Sequence, residues 1–170
     1  TLSNADTHLR IGAGVDFDGQ ILTISGAGCS VVCENGVTLD GVVMSGASCS
    51  FDGGGWDTLS NGAAARHGMD VTAASCIVKN VSLQTTAGAS TSYKALYGQT
   101  GADYLIVENV KVIDSDTAAF DFRGECIKLL NSVVLDADVE GVYLAGNRAL
   151  VAGNTIASGS TAINPDGNDS

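Results

Sequence analysis

Two consecutive stretches, YLIVENVKVIDSDTAAFDFRGE (104–125) and CIKLLNSVVLDADVEGVYLAGN (126–147), fall into register without a gap. Each is 22 residues long, and Asn109 aligns with Asn131, Asp114 with Asp136, Asp116 with Asp138 and Gly124 with Gly146. The pattern extends outward. The line from 148 carries Asn154 and ends AINPDGN, and upstream CIVKNVSL places Asn80 at the same position. Earlier still, DFDGQILTI and TLDGVVMSG put Gly19 and Gly41 there. Residues 19, 41, 80, 109, 131 and 154 thus mark six turns of one repeat. Self-similarity at a short fixed period is the sequence signature of a solenoid, in which each unit buries its apolar face only by stacking on the next.

Composition agrees. The 170 residues include 22 Gly, a single Pro and only 8 Lys plus Arg. Short apolar bursts alternate with Gly, Asn, Asp and Ser, as expected of many short strands and turns. Leucine-rich repeats share the length, but their Leu frame and helix-forming segment are missing. The repeat resembles the right-handed parallel β-helix of the pectate-lyase-like superfamily, which includes phage tailspikes. The expected fold is therefore all-β: a right-handed parallel β-helix of about six coils of about 22 residues, one domain over 1–170, with insertions at 45–67 and 84–94. The resemblance hands over no catalytic residue. The Asn-Thr-Asp, Asp-Asp and Arg-Ile-Lys signatures of polygalacturonases and the Trp-Ile-Asp-His of pectate lyases do not occur in this chain.

Equivalent residues of successive coils lie about 4.8 Å apart and stack into columns. The strand after the long turn reads GMDVT (68–72), ALYGQ (95–99), AFDFR (119–123), GVYLA (141–145) and AINPD (162–166). Period-two alternation sends Met69, Val71, Leu96, Phe120, Phe122, Val142, Leu144 and Ile163 into the bore. Outward, one column reads Asp70, Tyr97, Asp121, Tyr143, Asn164, and the next Thr72, Gln99, Arg123, Ala145, Asp166. The chain from Gly41 to Gly68 takes 27 positions, against 10 from Asn109 to Ala119, so insertions are expected to wall one edge of this face. The first brings Trp56, Arg66 and His67, the second Tyr93 and Lys94.

Aromatic plates between carboxylates and amides suit a sugar chain, because ring faces stack on pyranose C–H groups while Asp, Asn and Arg bond hydroxyls. The expected substrate-binding residues are Tyr97, Tyr143, Trp56, His67, Lys94, Gln99 and Asn164. Cleavage of a glycosidic bond would need two carboxyls, about 6.5 to 9.5 Å apart for inversion. Asp70 and Asp121, two coils apart, lie roughly 9.6 Å from each other by the coil spacing. Glu140 and Asp166 flank them, and Arg123, Arg66, His67 and Lys94 are the candidates for the basic electrophile a lyase would want beside its base. Asp70, Asp121, Arg123 and Glu140 are the catalytic candidates. Asp114 and Asp116, stacked on Asp136 and Asp138, form an all-oxygen set of the kind that suits Ca²⁺, or else a solvated acidic turn.

The formal charge of −11 argues against nucleic acid and against an anionic membrane surface. It also disfavours an acidic polysaccharide unless a cation or local basic patch intervenes. No 18-residue apolar run suggests membrane insertion. Five cysteines (Cys29, Cys33, Cys49, Cys76, Cys126) lack zinc-ligand spacing and are expected to be buried thiols. That points to folding in a reducing compartment. The chain begins with Thr, as a fragment or processed product would. No amphipathic cap is evident at either end, so homotrimerisation or flanking capping domains are expected. The expected function is polysaccharide recognition, with or without depolymerisation, by a tailspike- or tail-fibre-like protein of a phage virion or the extracellular space. A secreted lyase, hydrolase or epimerase, and a non-catalytic structural or adhesin β-helix, are the alternatives.

Overall fold

The computed structural model describes residues 1–56, 58–62, 66–85 and 93–165. They form a parallel β-solenoid of about seven turns, with no helix among them. None of the described residues forms a helix long and apolar enough to cross a membrane. One wall is a seven-stranded sheet of His8–Ile11, Ser30–Cys33, Ser50–Asp52, Ile77–Lys79, Ile106–Glu108, Lys128–Leu130 and Leu150–Ala152, in that order. The second sheet has twelve strands because two of them turn a corner. Thr38–Met44 pairs through its first half with Leu59–Gly62 and through its second half with Met69–Val71, while Asp16–Ile24 runs beside both halves. The sheet thereby supplies two further walls. One continues through Ser82–Thr85, Lys111–Asp114, Val133–Val134 and Thr155–Ile156. The other, the column face, continues through Leu96–Gly98, Ala118–Phe122, Glu140–Leu144 and Thr161–Pro165.

The bore is filled as the alternation requires. Met69, Val71, Leu96, Phe120, Phe122 and Val142 are sealed from solvent, and Leu144 nearly so. Each such side chain contributes about 1.5–3 kcal/mol by burial. Phe120 and Phe122 stack with ring centroids 5.8 Å apart, and Gly98 leaves the room, since a Cβ there would meet Phe122 at 3.0 Å. Ile163, expected in the bore, is 43% exposed. It lies on the last described strand, which has a neighbouring strand on one side only.

Two corners rest on stacked left-handed residues. At one, Asp6, Gly28, Ser48, Ser75, Tyr104, Cys126 and Arg148 all have φ between 54° and 69°. Each but the last donates its backbone N–H to the next coil. At the other stand Gly36, Gly54, Asn80, Asn109, Asn131 and Gly153. Asn109 Nδ2 donates to Asn80 Oδ1 at 2.7 Å, and Asn80 Nδ2 to Asp52 Oδ1 at 3.0 Å, so stacked side chains form an Asn ladder that ends on Asp52. Asn tolerates this conformation better than other side chains.

This register corrects the upstream reading. Gly41 pairs with Ile21 and opens a column-face strand, so it is no member of the Asn ladder, and neither is Gly19. Downstream the ladder position is Gly153 rather than Asn154, because Leu130 pairs with Ala152. The first expected insertion shrinks accordingly: within 45–67, Ser50–Asp52 and Leu59–Gly62 are regular strands. Of the second, Gln84 and Thr85 belong to a strand, and 86–92 lie outside the described residues.

Four of the five cysteines are buried and all are free. Cys29, Cys49 and Cys76 donate to the carbonyls of Asn4, Gly26 and Gly46, which makes them structural rungs. Burial, with Asp52 adding to it, pushes the Cys33 thiol up to about 12. Such thiols are inert.

Candidate functional site

The column is real. Val43 pairs with Asp70, Asp70 with Tyr97, Tyr97 with Asp121, Asp121 with Tyr143 and Tyr143 with Asn164. A strand's outward residue recurs at the same height in each coil, so these six side chains form one stripe across six strands, the last five of them Asp70 to Asn164. The adjacent stripe follows, since Gln99 and Arg123 donate their backbone N–H groups to Val71 and Gly98 of the preceding coils. Asp166 lies outside the described residues.

The two stripes are tied together. Gln99 Nε2 reaches back one coil to both oxygens of Asp70, at 2.8 and 3.1 Å. Arg123 grips Asp121 with Nε and Nη2, each at 3.2 Å, and its guanidinium sits 5.3 Å from the Tyr97 ring centroid. The pair is asymmetric: the Asp121 side chain is 3% exposed and the Arg123 side chain 46%. Hydrogen bonding to Asp121 raises the Arg123 pKa above its ordinary value, fixing the charge. Asn164 Nδ2 donates to Glu140 Oε1 at 2.7 Å. All three candidate catalytic carboxylates therefore accept hydrogen bonds from within the face.

The wall stands at the corner before these strands. Counting back from the pairs of Leu96 with Phe120 and with Met69, Lys94 and His67 stand level with Ala118, which itself pairs with Glu140. The backbone N–H of Lys94 donates to His67 Nδ1 at 2.9 Å. The His67 ring lies 4.8 Å from that of Tyr97 and 5.4 Å, edge-on, from that of Tyr93. Burial above all holds the His67 pKa below its ordinary value, with Lys94 adding to the effect against the opposing pull of Asp70 and Asp121. A neutral ring with Nδ1 as acceptor carries its proton on Nε2.

This aromatic ridge separates two hollows. One, of about 190 Å³, is lined by Val43, Arg66, His67, Asp70 and Tyr93. The other, of about 260 Å³, is lined by Lys94, Thr117, Asp121, Arg123, Glu140 and Tyr143. Thr117 was not singled out in the sequence. It holds the wall in place by donating its hydroxyl to the Tyr93 carbonyl at 2.5 Å. The usable signal was its position one residue before a strand of the column face. A third hollow, of about 450 Å³, lies away from the column and is lined mostly by apolar side chains, Leu2, Leu9, Ile11, Phe17 and Leu22 among them, with Thr1 and Gln20.

Two expectations place residues elsewhere. Trp56 is not in the groove: its indole N–H donates to the Asn109 carbonyl at 2.9 Å and Lys111 lies 5.7 Å over its ring, at the Asn-ladder corner. The reason is the shortened first insertion, which puts Trp56 in the turn between the seven-stranded sheet and the next wall. The side chains of Asp114, Asp116, Asp136 and Asp138 do not gather around one point. Among the described residues no three metal-capable side chains gather where one ion could be held. Stacking sets them beside one another as repelling neighbours instead. Burial first, then Asp116, Asp136 and Asp138, raises the Asp114 pKa.

No family model matches the chain, and neither does any curated protein or solved structure.

Proposed function

We propose that the column face is a groove for an extended polysaccharide and that the protein recognises the glycan without cutting it. The observation that carries this reading is the in-register alternation Asp70–Tyr97–Asp121–Tyr143–Asn164 over five consecutive strands. A ligand that is itself a linear repeat matches a linear array of stacking plates and hydrogen-bonding groups. Recognition is favoured over cleavage because Asp70, Asp121 and Glu140 are each already held by Gln99, Arg123 and Asn164. A general acid must be able to give a proton to the leaving oxygen, and a base must be able to take one. Depolymerisation is the second reading, favoured by one fact: Asp121 and Glu140 line the same hollow.

The setting that fits is a tailspike- or tail-fibre-like surface-recognition protein of a virion or the extracellular space, closed by homotrimerisation or by flanking domains. Its support is the parallel solenoid together with five cysteines that form no disulfide. A glycan array followed by product analysis tests the function. Measurable affinity, lost about tenfold in Tyr97→Ala and in Tyr143→Ala, with no new reducing ends or unsaturated sugars, is the expected result. Sugar release that stops in Asp121→Asn while binding survives establishes a lyase, hydrolase or epimerase. Indifference of all glycans to both tyrosines leaves a structural or adhesin role.

A further inference from the structure

The cations of this chain are few, and their distribution is uneven. Against 19 Asp plus Glu stand 8 Lys plus Arg. Four of those eight are in ion pairs: Arg10 with Glu34, Lys79 with Asp52, Arg123 with Asp121 and Arg148 with Glu125. Lys111 covers the Trp56 ring, and Lys128 is exposed on the seven-stranded sheet. The two that remain, Arg66 and Lys94, both line the groove, one in each hollow. Neither meets a carboxylate of the described residues within ion-pair distance. The stretches 63–65 and 86–92, which lead into Arg66 and Tyr93, contain no Asp or Glu.

By simple count the Lys94 hollow is neutral, with Lys94 and Arg123 against Asp121 and Glu140. Accessibility breaks the balance. Asp121 is buried with both oxygens on Arg123, and Glu140 has one oxygen on Asn164. Arg123 uses two of its five N–H donors on Asp121 and is half exposed. Lys94 is half-buried and makes no direct ion pair with the carboxylates that share its hollow, so an incoming anion can supply one. The same hollow holds Thr117 and Tyr143, whose oxygens can serve sugar hydroxyls.

We propose that the groove selects glycans carrying an oxyanion, as a carboxylate or a sulfate ester, and that this group sits between Lys94 and Arg123. The proposal rests on the glycan-groove reading and narrows its substrate class, despite the acidity of the chain as a whole. The test compares hyaluronan oligosaccharides (carboxylated), chondroitin sulfate oligosaccharides (also sulfated) and chitin oligosaccharides of equal length (neutral), at low and high salt. An anionic probe is expected to bind about tenfold tighter than the neutral one, as one charge-assisted contact allows. That advantage should shrink with salt. Lys94→Gln should remove it, Lys94→Arg should keep most of it, and Lys128→Gln should leave it alone. The carboxylated and sulfated arms then tell the two substituents apart. Equal binding of the neutral chain, or indifference to Lys94→Gln, overturns the proposal. If that neutral binding still depends on Tyr97, the groove stands and only its charge selectivity falls. If no probe binds, both readings fall together.

Discussion

The seven-stranded sheet and the column face are built by the same coils, yet their outer surfaces behave differently. On the outer face of the seven-stranded sheet contacts pair one coil with the next, His8 with Ser30, Arg10 with Glu34, Lys79 with Asp52, and only at its corner does a chain run on, from Asp52 through Asn80 to Asn109. Long exposed side chains make them, and Val32, Ile77 and Leu150 stand bare between. On the column face the contacts continue. Gln99 ties one coil to the coil of Asp70, Arg123 holds Asp121 and reaches the Tyr97 ring, and Tyr97 meets His67. Stacking is common to both walls. What separates them is the corner before each. The seven-stranded sheet follows a tight left-handed turn, whereas the chain entering the column face varies in length and raises Arg66, His67, Tyr93 and Lys94 beside it.

The largest effect should come from what lies beneath that face. Phe122→Ala empties the bore where Gly98 made room, and about 4 kcal/mol of stability should be lost in denaturant unfolding. The surface change Val32→Ala on the other wall should stay within about 0.5 kcal/mol. If the two losses are alike, the burial contrast is wrong.

Next comes the same kind of ion pair on the two walls. Removing Arg123 strands a buried carboxylate, at roughly 1–3 kcal/mol. Arg10 and Glu34 have side chains 77% and 39% exposed, so Arg10→Ala should cost about 0.5 kcal/mol or less. Urea melts of both variants measure the gap directly.

A smaller change of opposite sign is expected at the acidic corner. The Asp114 carboxyl binds its proton more tightly in the folded than in the unfolded chain. Stability therefore falls as pH rises from the ordinary value of 3.8 through the raised folded value. Asp114→Asn should gain roughly 0.5 kcal/mol near neutral pH, as relief of like-charge neighbours allows, and thermal melts over pH should show the fall flattened.

The smallest effect belongs to His67, whose lowered pKa works the other way. Its contribution is present above the ordinary value of 6.5 and is lost as pH falls below that value through the folded one. NMR titration of the ring should show it still neutral at a pH just below the ordinary value of 6.5.

Much of this was legible in the sequence because chemistry marks the register. Phe120, Phe122, Asp121 and Tyr143 carry both the period of two and the period of 22, so the column face reads directly. Gly19 and Gly41 misled for the converse reason: glycine has no side chain to signal in or out. Thr38–Met44 also passes a corner within one strand, and in Asp16–Ile24 the corner is a register shift at the left-handed Gly19 that looks like a repeat marker in the sequence. Trp56 was misplaced as a consequence. The polar ties were beyond reach, since that Gln99 bonds Asp70 and that Asn164 bonds Glu140 depends on side-chain direction rather than spacing. The same holds for the four aspartates, where stacking predicted proximity but not whether their oxygens would converge.

The groove itself can be tested by titrating isotope-labelled protein with the tightest-binding oligosaccharide and mapping the shifted resonances. The predicted footprint is a continuous stripe through Tyr97, Asp121 and Tyr143 with Lys94 at its edge, while Ser30, Ile77 and Lys128 stay still. Shifts centred on the seven-stranded sheet, or scattered over all walls alike, contradict it.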